Sequence, residues 1–154
     1  MPDTFRIERS TLIAAPPEAI FPLVEDFRRW REWSPYEELD PDLKRTYSGP
    51  KQGVGSSYAW EGNGKAGAGR MEIAEAEKPS RIAIKLDFTR PMRANNRAEF
   101  SFAPEGGGTR VTWAMQGARP FMMKLMGLIF NFDKMVGGDF EKGLAKMKAV
   151  AEAR

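Results

Sequence analysis

Residues 82–118, IAIKLDFTRPMRANNRAEFSFAPEGGGTRVTWAMQGA, decide the fold. Ile82, Ile84, Leu86 and Phe88, then Ala98, Phe100 and Phe102, then Val111, Trp113 and Met115 recur at every second position, with mostly charged or polar residues between them. A period of two sends successive side chains to opposite faces, so each run predicts a strand with one apolar side. Arg90-Pro91 and Gly106-Gly107-Gly108 interrupt the runs, and breaks this short join antiparallel neighbours.

The same pattern continues upstream. Leu43–Ser48, Val54–Glu61 and Ala68–Glu77 read as three more strands, with Val54, Ser56, Tyr58 and Trp60, then Met71 and Ile73, on the apolar side. Gly62-Asn63-Gly64 inside the Gly-rich stretch 62–69 marks a hairpin, because strands flank it and the helix that a phosphate loop requires does not follow. Phe5 to Ala14 alternates as well and supplies the first strand. Pro16-Pro17 then opens a helix carrying Ile20, Leu23, Val24 and Phe27, in which Pro22 predicts a kink or a tight first turn. Arg28 to Tyr36 places Trp30 and Trp33 one turn apart. At the far end, Asp133 to Arg154 puts Val136, Phe140, Leu144, Met147 and Ala151 at helical spacing, with Asp133 as the expected cap. A sheet with one apolar face must be covered, and the last helix is the only long element available to cover it. The sequence therefore predicts one α+β domain over residues 1–154: a seven-stranded curved antiparallel sheet wrapped around a long C-terminal helix, with two short helices after the first strand.

Composition narrows the chemistry. With 154 residues, 42% hydrophobic and 29% charged, the chain has globular proportions and length enough for one sizeable core. Cysteine and histidine are absent, which removes thiol and imidazole nucleophiles, disulfides and any Cys/His metal site, so no metal and no cofactor is expected. The surplus of 24 basic over 21 acidic residues gives only +3. No basic run is interleaved with stacking aromatics, and the sequence predicts no nucleic-acid partner. Arg6, Glu8 and Arg9 interrupt the first apolar segment, and Phe121 to Phe130 is too short to cross a bilayer. A cytoplasmic protein without a membrane span is the resulting expectation.

The stretches APPEAIFPLVEDFRRWREWSPY (15–36), WEGN (60–63) with GRMEI (69–73), GGGTRVTWAMQG (106–117) and PFMMKLMGLIFNFDKMVGGDFEKGLAKMKAVAE (120–152), in the order β-αα-β6-α, together resemble the SRPBCC superfamily. These are the START-like and polyketide-cyclase-like proteins of helix-grip fold. The resemblance implies a hydrophobic cavity between the sheet and the last helix. It does not name an occupant, since the same fold hosts carriers, receptors, cyclases, co-chaperone domains and oxygenase subunits.

Candidate site residues follow from parity and from that implied cavity. Trp30, Trp33 and Tyr36 belong at its mouth, where they either meet an amphipathic ligand or plug the core. Tyr58, Trp60, Met71, Phe88, Phe100, Trp113 and Met115 fall on the apolar strand face, Phe140 and Leu144 on the helix; each lines a hollow or fills a core. A residue that lines a hollow has fewer protein neighbours, so Trp113 is expected to cost less on truncation than a core tryptophan. Asn96, Ser56 and Glu75 share parity with apolar neighbours and would point inward unless a β-bulge turns Glu75 out. Tyr58 and Asn96, with Glu75, are the weak catalytic candidates, as a polarising pair for an enol-forming cyclisation. Phe121, Leu125 and Phe130 lie in an apolar segment, 121–132, that reads equally as a lid hinged at Gly127 and Gly137-Gly138, a fixed plug, or the interface of a homodimer. The leading expectation is a protein that binds a small hydrophobic or aromatic molecule. A cyclase or dehydratase and a protein-interaction module are the alternatives. On the solvent face, Lys85 and Asp87 are expected to pair with Arg97 and Glu99.

Overall fold

The computed structural model describes residues 4–64, 66–90, 93–118 and 129–153, with the backbone alone at 129–132. Seven strands form one sheet in the order β1-β7-β6-β5-β4-β3-β2, every pair antiparallel. They are β1 (Thr4–Ile13), β2 (Lys44–Ser48), β3 (Ser57–Glu61), β4 (Ala68–Glu77), β5 (Arg81–Arg90), β6 (Ala94–Glu105) and β7 (Gly108–Ala118). Helix α1 (Pro17–Glu25) and two 3-10 turns, Phe27–Glu32 and Pro35–Glu38, follow β1, and a helix at Ile129–Glu152 ends the chain. This is the helix-grip arrangement. No helix among the described residues is long and apolar enough to cross a membrane.

The register shows why the apolar parity matters. Ile7 pairs with Met115, Met115 with Ala98, Ala98 with Ile84 and Ile84 with Ile73, so one apolar row crosses five strands. All five side chains are buried. The C-terminal helix presents Val136, Phe140, Leu144, Met147 and Ala151 to this face, all buried, at the spacing that gives a helix one apolar stripe. Pro17 starts α1 where its missing N–H costs nothing, and the helix ends at Glu25, three residues beyond Pro22.

Several local expectations are corrected. Val54 precedes β3 and is 58% exposed. A register shift between Ile73 and Glu75 turns Glu75 to the solvent face, where it accepts hydrogen bonds from Arg81 and Arg97, each at 2.8 Å. Glu75 therefore leaves the list of cavity candidates. Ser56 is buried beside the sheet, its hydroxyl donating to the Lys51 carbonyl at 3.5 Å rather than lining the cavity. The expected charge pairing across β5 and β6 is also rearranged: Lys85 lies opposite Arg97, Arg97 turns to Glu75, and Glu99 accepts from Arg81 at 2.6 Å. The bulge causes this, because it brings a carboxylate from β4 within reach of both arginines. Stretch 62–69 is a β3–β4 hairpin closed by Gly62 N–H donating to the Gly67 carbonyl at 2.8 Å.

The C-terminal helix is already formed at Ile129, before the expected cap. Asp133 lies within it and accepts from Arg9 at 3.3 Å, while Glu141 accepts from the same guanidinium at 3.0 Å, tying β1 to the helix. Gly137 and Gly138 are helical, so they form no hinge between a flap and the helix. The rest of the lid, plug or interface reading, with Phe121 and Leu125 and the Phe130 side chain, lies outside the described residues. Glycine here answers close approach: a Cβ at Gly143 would sit 2.9 Å from the Trp113 ring and 3.0 Å from Pro35, whereas one at Gly138 would meet nothing within 4 Å. Gly138→Ala is therefore expected to raise stability by about 0.5–1 kcal/mol, the helix cost of glycine. Gly143→Ala is expected to lower it, and urea midpoints for the two variants moving in the same direction would contradict this packing.

Candidate functional site

Where the two 3-10 turns and the C-terminal helix face the sheet, a cavity of about 590 Å³ remains. The trace that creates it is short. Asp26 Oδ1 accepts from Arg28 N–H at 3.0 Å and caps the first turn, and Ser34 Oγ accepts from Tyr36 N–H at 3.3 Å to cap the second. These caps hold Trp30 and Tyr36 over the sheet.

Trp30, Tyr36, Tyr58, Trp60, Met71, Phe88, Asn96, Trp113, Met115 and Phe140 all line the cavity. Three other candidates do not. Trp33 is wholly buried; its indole N–H donates to the Leu23 carbonyl at 2.8 Å and its ring packs on Trp30 and Trp113 at 4.7 and 5.4 Å. Phe100 and Leu144 are likewise packed core. Glu37, Leu39, Ala66, Met135, Val136 and Asp139 are among the wall residues that sequence reasoning did not name as candidates. Asp139 was within reach, standing next to Phe140 and three residues from Val136 on the inward side of the helix. Glu37 carried no such signal, since the acidic stretch after Tyr36 has no period.

Glu37 organises the polar part of the wall. It is buried. Tyr58 donates its hydroxyl to Glu37 Oε2 at 2.7 Å, and Arg45 Nε, from the neighbouring strand β2, donates to Oε1 at 2.7 Å. A second Arg45 nitrogen reaches the Glu37 carbonyl at 3.1 Å. The carboxylate is thus held by a phenol on the cavity side and a guanidinium behind it, the pairing a buried charge needs. Tyr47 stacks on Tyr58 at 5.2 Å, and the Arg28 guanidinium lies 4.6 Å over the Tyr47 ring.

Burial first, and then the adjacent Glu37 charge, pushes the Tyr58 hydroxyl well above the usual phenol range, and burial and Asp139 do the same to Tyr36; burial and Glu37 also raise Tyr47, against the opposing charges of Arg45, Arg31 and Arg28. The folded state therefore holds these protons more tightly than the unfolded chain, whose phenols titrate near pH 10. Stability from this source is complete below about pH 10 and declines as the pH rises beyond it. An absorbance titration of phenolate is expected to show Tyr36 and Tyr58 ionising only as the protein unfolds; ionisation in the native state near pH 10 would contradict their environment.

Asn96 and Tyr58 share the cavity wall but are not joined. The Asn96 amide approaches Met115 Sδ at 3.9 Å, and its Oδ1 is sealed without a hydrogen-bond partner. A polarising Tyr58–Asn96 pair is not assembled. Among the described residues no group of three or more acidic side chains gathers as a metal site.

The family described as "Polyketide cyclase / dehydrase and lipid transport" matches residues 4–152. No curated protein matches. Among solved structures, the di-domain ARO/CYC BexL from the BE-7585A biosynthetic pathway superposes with a TM-score of 0.73 at 18% identity, covering 99% of this chain and 51% of that one. TTHA0849 from Thermus thermophilus gives 0.69 at 19% identity, covering 97% of this chain and 98% of that one. Protein CV1439 from Chromobacterium violaceum gives 0.65 at 17% identity, covering 99% of each chain. At these identities the likeness concerns the fold.

Proposed function

The chain belongs to the polyketide cyclase/dehydrase and lipid transport family, within the SRPBCC superfamily, and we propose that it binds a small hydrophobic or aromatic molecule between the sheet and the C-terminal helix. The observation that carries this reading is the cavity of about 590 Å³, inside the range of small-molecule sites and built as they are, from apolar walls with few polar groups. Its aromatic faces, from Trp30, Tyr36, Trp60 and Trp113 among others, suit a planar guest, and Met71 and Met115 supply adaptable surface.

One observation favours a second reading, a cyclase-like enzyme. Tyr58 hydrogen-bonded to a buried carboxylate is an arrangement that relays a proton, its oxygen accepting from the guest while its own proton goes to Glu37, and BexL, which shares the fold, is described as an ARO/CYC protein. Chemical conversion of a bound guest, lost in Tyr58→Phe with binding retained, would select the enzyme over the carrier.

The direct test is native mass spectrometry of protein purified from its source, which would retain a bound small molecule. Thermal denaturation against aromatic, sterol-like and fatty ligands complements it. A ligand at a hundredfold excess over Kd is expected to add about 2.7 kcal/mol to stability. A protein without retained mass, whose melting temperature no ligand shifts, would defeat the proposal.

A further inference from the structure

Taking the binding reading as its premise, the charge of the cavity wall narrows the class of guest. The chain carries 24 Lys and Arg, yet none of those among the described residues lines the cavity, whereas two acids, Glu37 and Asp139, do. The two acids differ. Arg45 neutralises Glu37 from behind the wall at 2.7 Å. Asp139 makes no ion pair with any described residue, and its side-chain neighbour is the Tyr36 hydroxyl. Tyr36 in turn packs edge-on against Trp113 at 6.3 Å, and Trp113 lies flat on Phe140 at 4.0 Å. An uncompensated carboxylate thus stands at the edge of an aromatic surface.

We propose that the cavity selects by charge, admitting neutral aromatic molecules with a hydroxyl donor and aromatic amines, and rejecting aromatic or fatty carboxylates. A carboxylate entering the cavity loses its hydration, finds no cation among the described wall residues and meets Asp139, which repels it. A hydroxyl can donate to Asp139 in a charge-assisted hydrogen bond. An ammonium gains an ion pair with the same carboxylate. The selectivity is a property of the wall and opposes the protein's net charge of +3, which by itself would attract anions.

Three naphthalenes with one ring system and different charge test this: 2-naphthalenemethanol, 2-(aminomethyl)naphthalene and 2-naphthoate, titrated calorimetrically into the full chain at neutral pH. The alcohol and the amine are expected to bind, and the carboxylate to bind at least about tenfold more weakly. Asp139→Asn should remove the advantage of the amine and bring the carboxylate close to the alcohol, with the melting temperature checking that the variant folds. Should the variant not fold, the order of the three probes on the natural protein decides. Naphthoate binding as tightly as the alcohol overturns the charge selection and leaves the binding reading intact. Failure of all three to bind counts against the binding reading itself, and the charge selection falls with it.

Discussion

Replacing Trp113 by alanine is expected to cost about 3–5 kcal/mol of folding stability, the range for a buried large aromatic, read as a lowered urea midpoint. The residue is only 3% exposed. Its ring lies between Phe140 at 4.0 Å and Phe100 at 5.1 Å, both stacked, and meets Trp30, Trp33 and Tyr36 edge-on. Gly143 exists in the helix to let that ring approach. These contacts join the sheet, both 3-10 turns and the last helix through one side chain. The expectation from sequence, that a wall tryptophan has fewer neighbours and so costs less, does not fit this geometry: Trp113 lines the cavity along part of its surface and holds the core together with the rest. A binding test is cleaner at Phe88, half-buried at the other end of the cavity and edge-on to Trp60 at 5.6 Å. Phe88→Ala should weaken a planar ligand while costing clearly less stability than Trp113→Ala. Equal losses of stability at the two positions would mean that they do not differ as core and rim.

Period-two alternation reads out the strands and their apolar face, because burial on one side of a pleated sheet leaves a direct trace in the residue order, and the helical spacing of Val136, Phe140, Leu144, Met147 and Ala151 reads out the helix that covers it. Neither period could separate wall from core. Phe100 and Trp113 face each other across β6 and β7, with the same parity, yet only Trp113 reaches the cavity; the difference lies in where the 3-10 turns put Trp30, Trp33 and Tyr36, and no strand period encodes that. Glu75 illustrates another limit, since one extra residue in a strand reverses every later side chain and the bulge has no marker in its neighbours. The third limit is long range. Glu37 gains its meaning from Tyr58 and Arg45, which two different strands bring to it, and the sequence places these three residues in unrelated segments.

That cluster carries the remaining large effect. Glu37→Ala is expected to destabilise by about 3–5 kcal/mol, because removing one partner of a buried pair leaves the other charge without compensation. The Arg45 guanidinium, 16% exposed, would lose its short contact at 2.7 Å. Tyr58 would lose the acceptor for its hydroxyl. Glu37→Gln keeps the shape and one acceptor and should cost less, while replacing Glu37 and Arg45 together by apolar residues of similar size should recover most of the loss, as it removes both charges at once. Tyr58→Phe should then be nearly silent in the Glu37→Ala background and costly in the natural protein, since groups sharing one network do not contribute additively. The exposed pair of Lys146 with Glu38, at 3.2 Å, provides the control on the adjacent residue: solvent screens it, and Glu38→Ala should change stability little. If chemical denaturation gave Glu37→Ala and Glu38→Ala the same small effect, Glu37 would be solvated in solution, and neither its hold on Tyr58 nor a polar anchor in the cavity wall could stand.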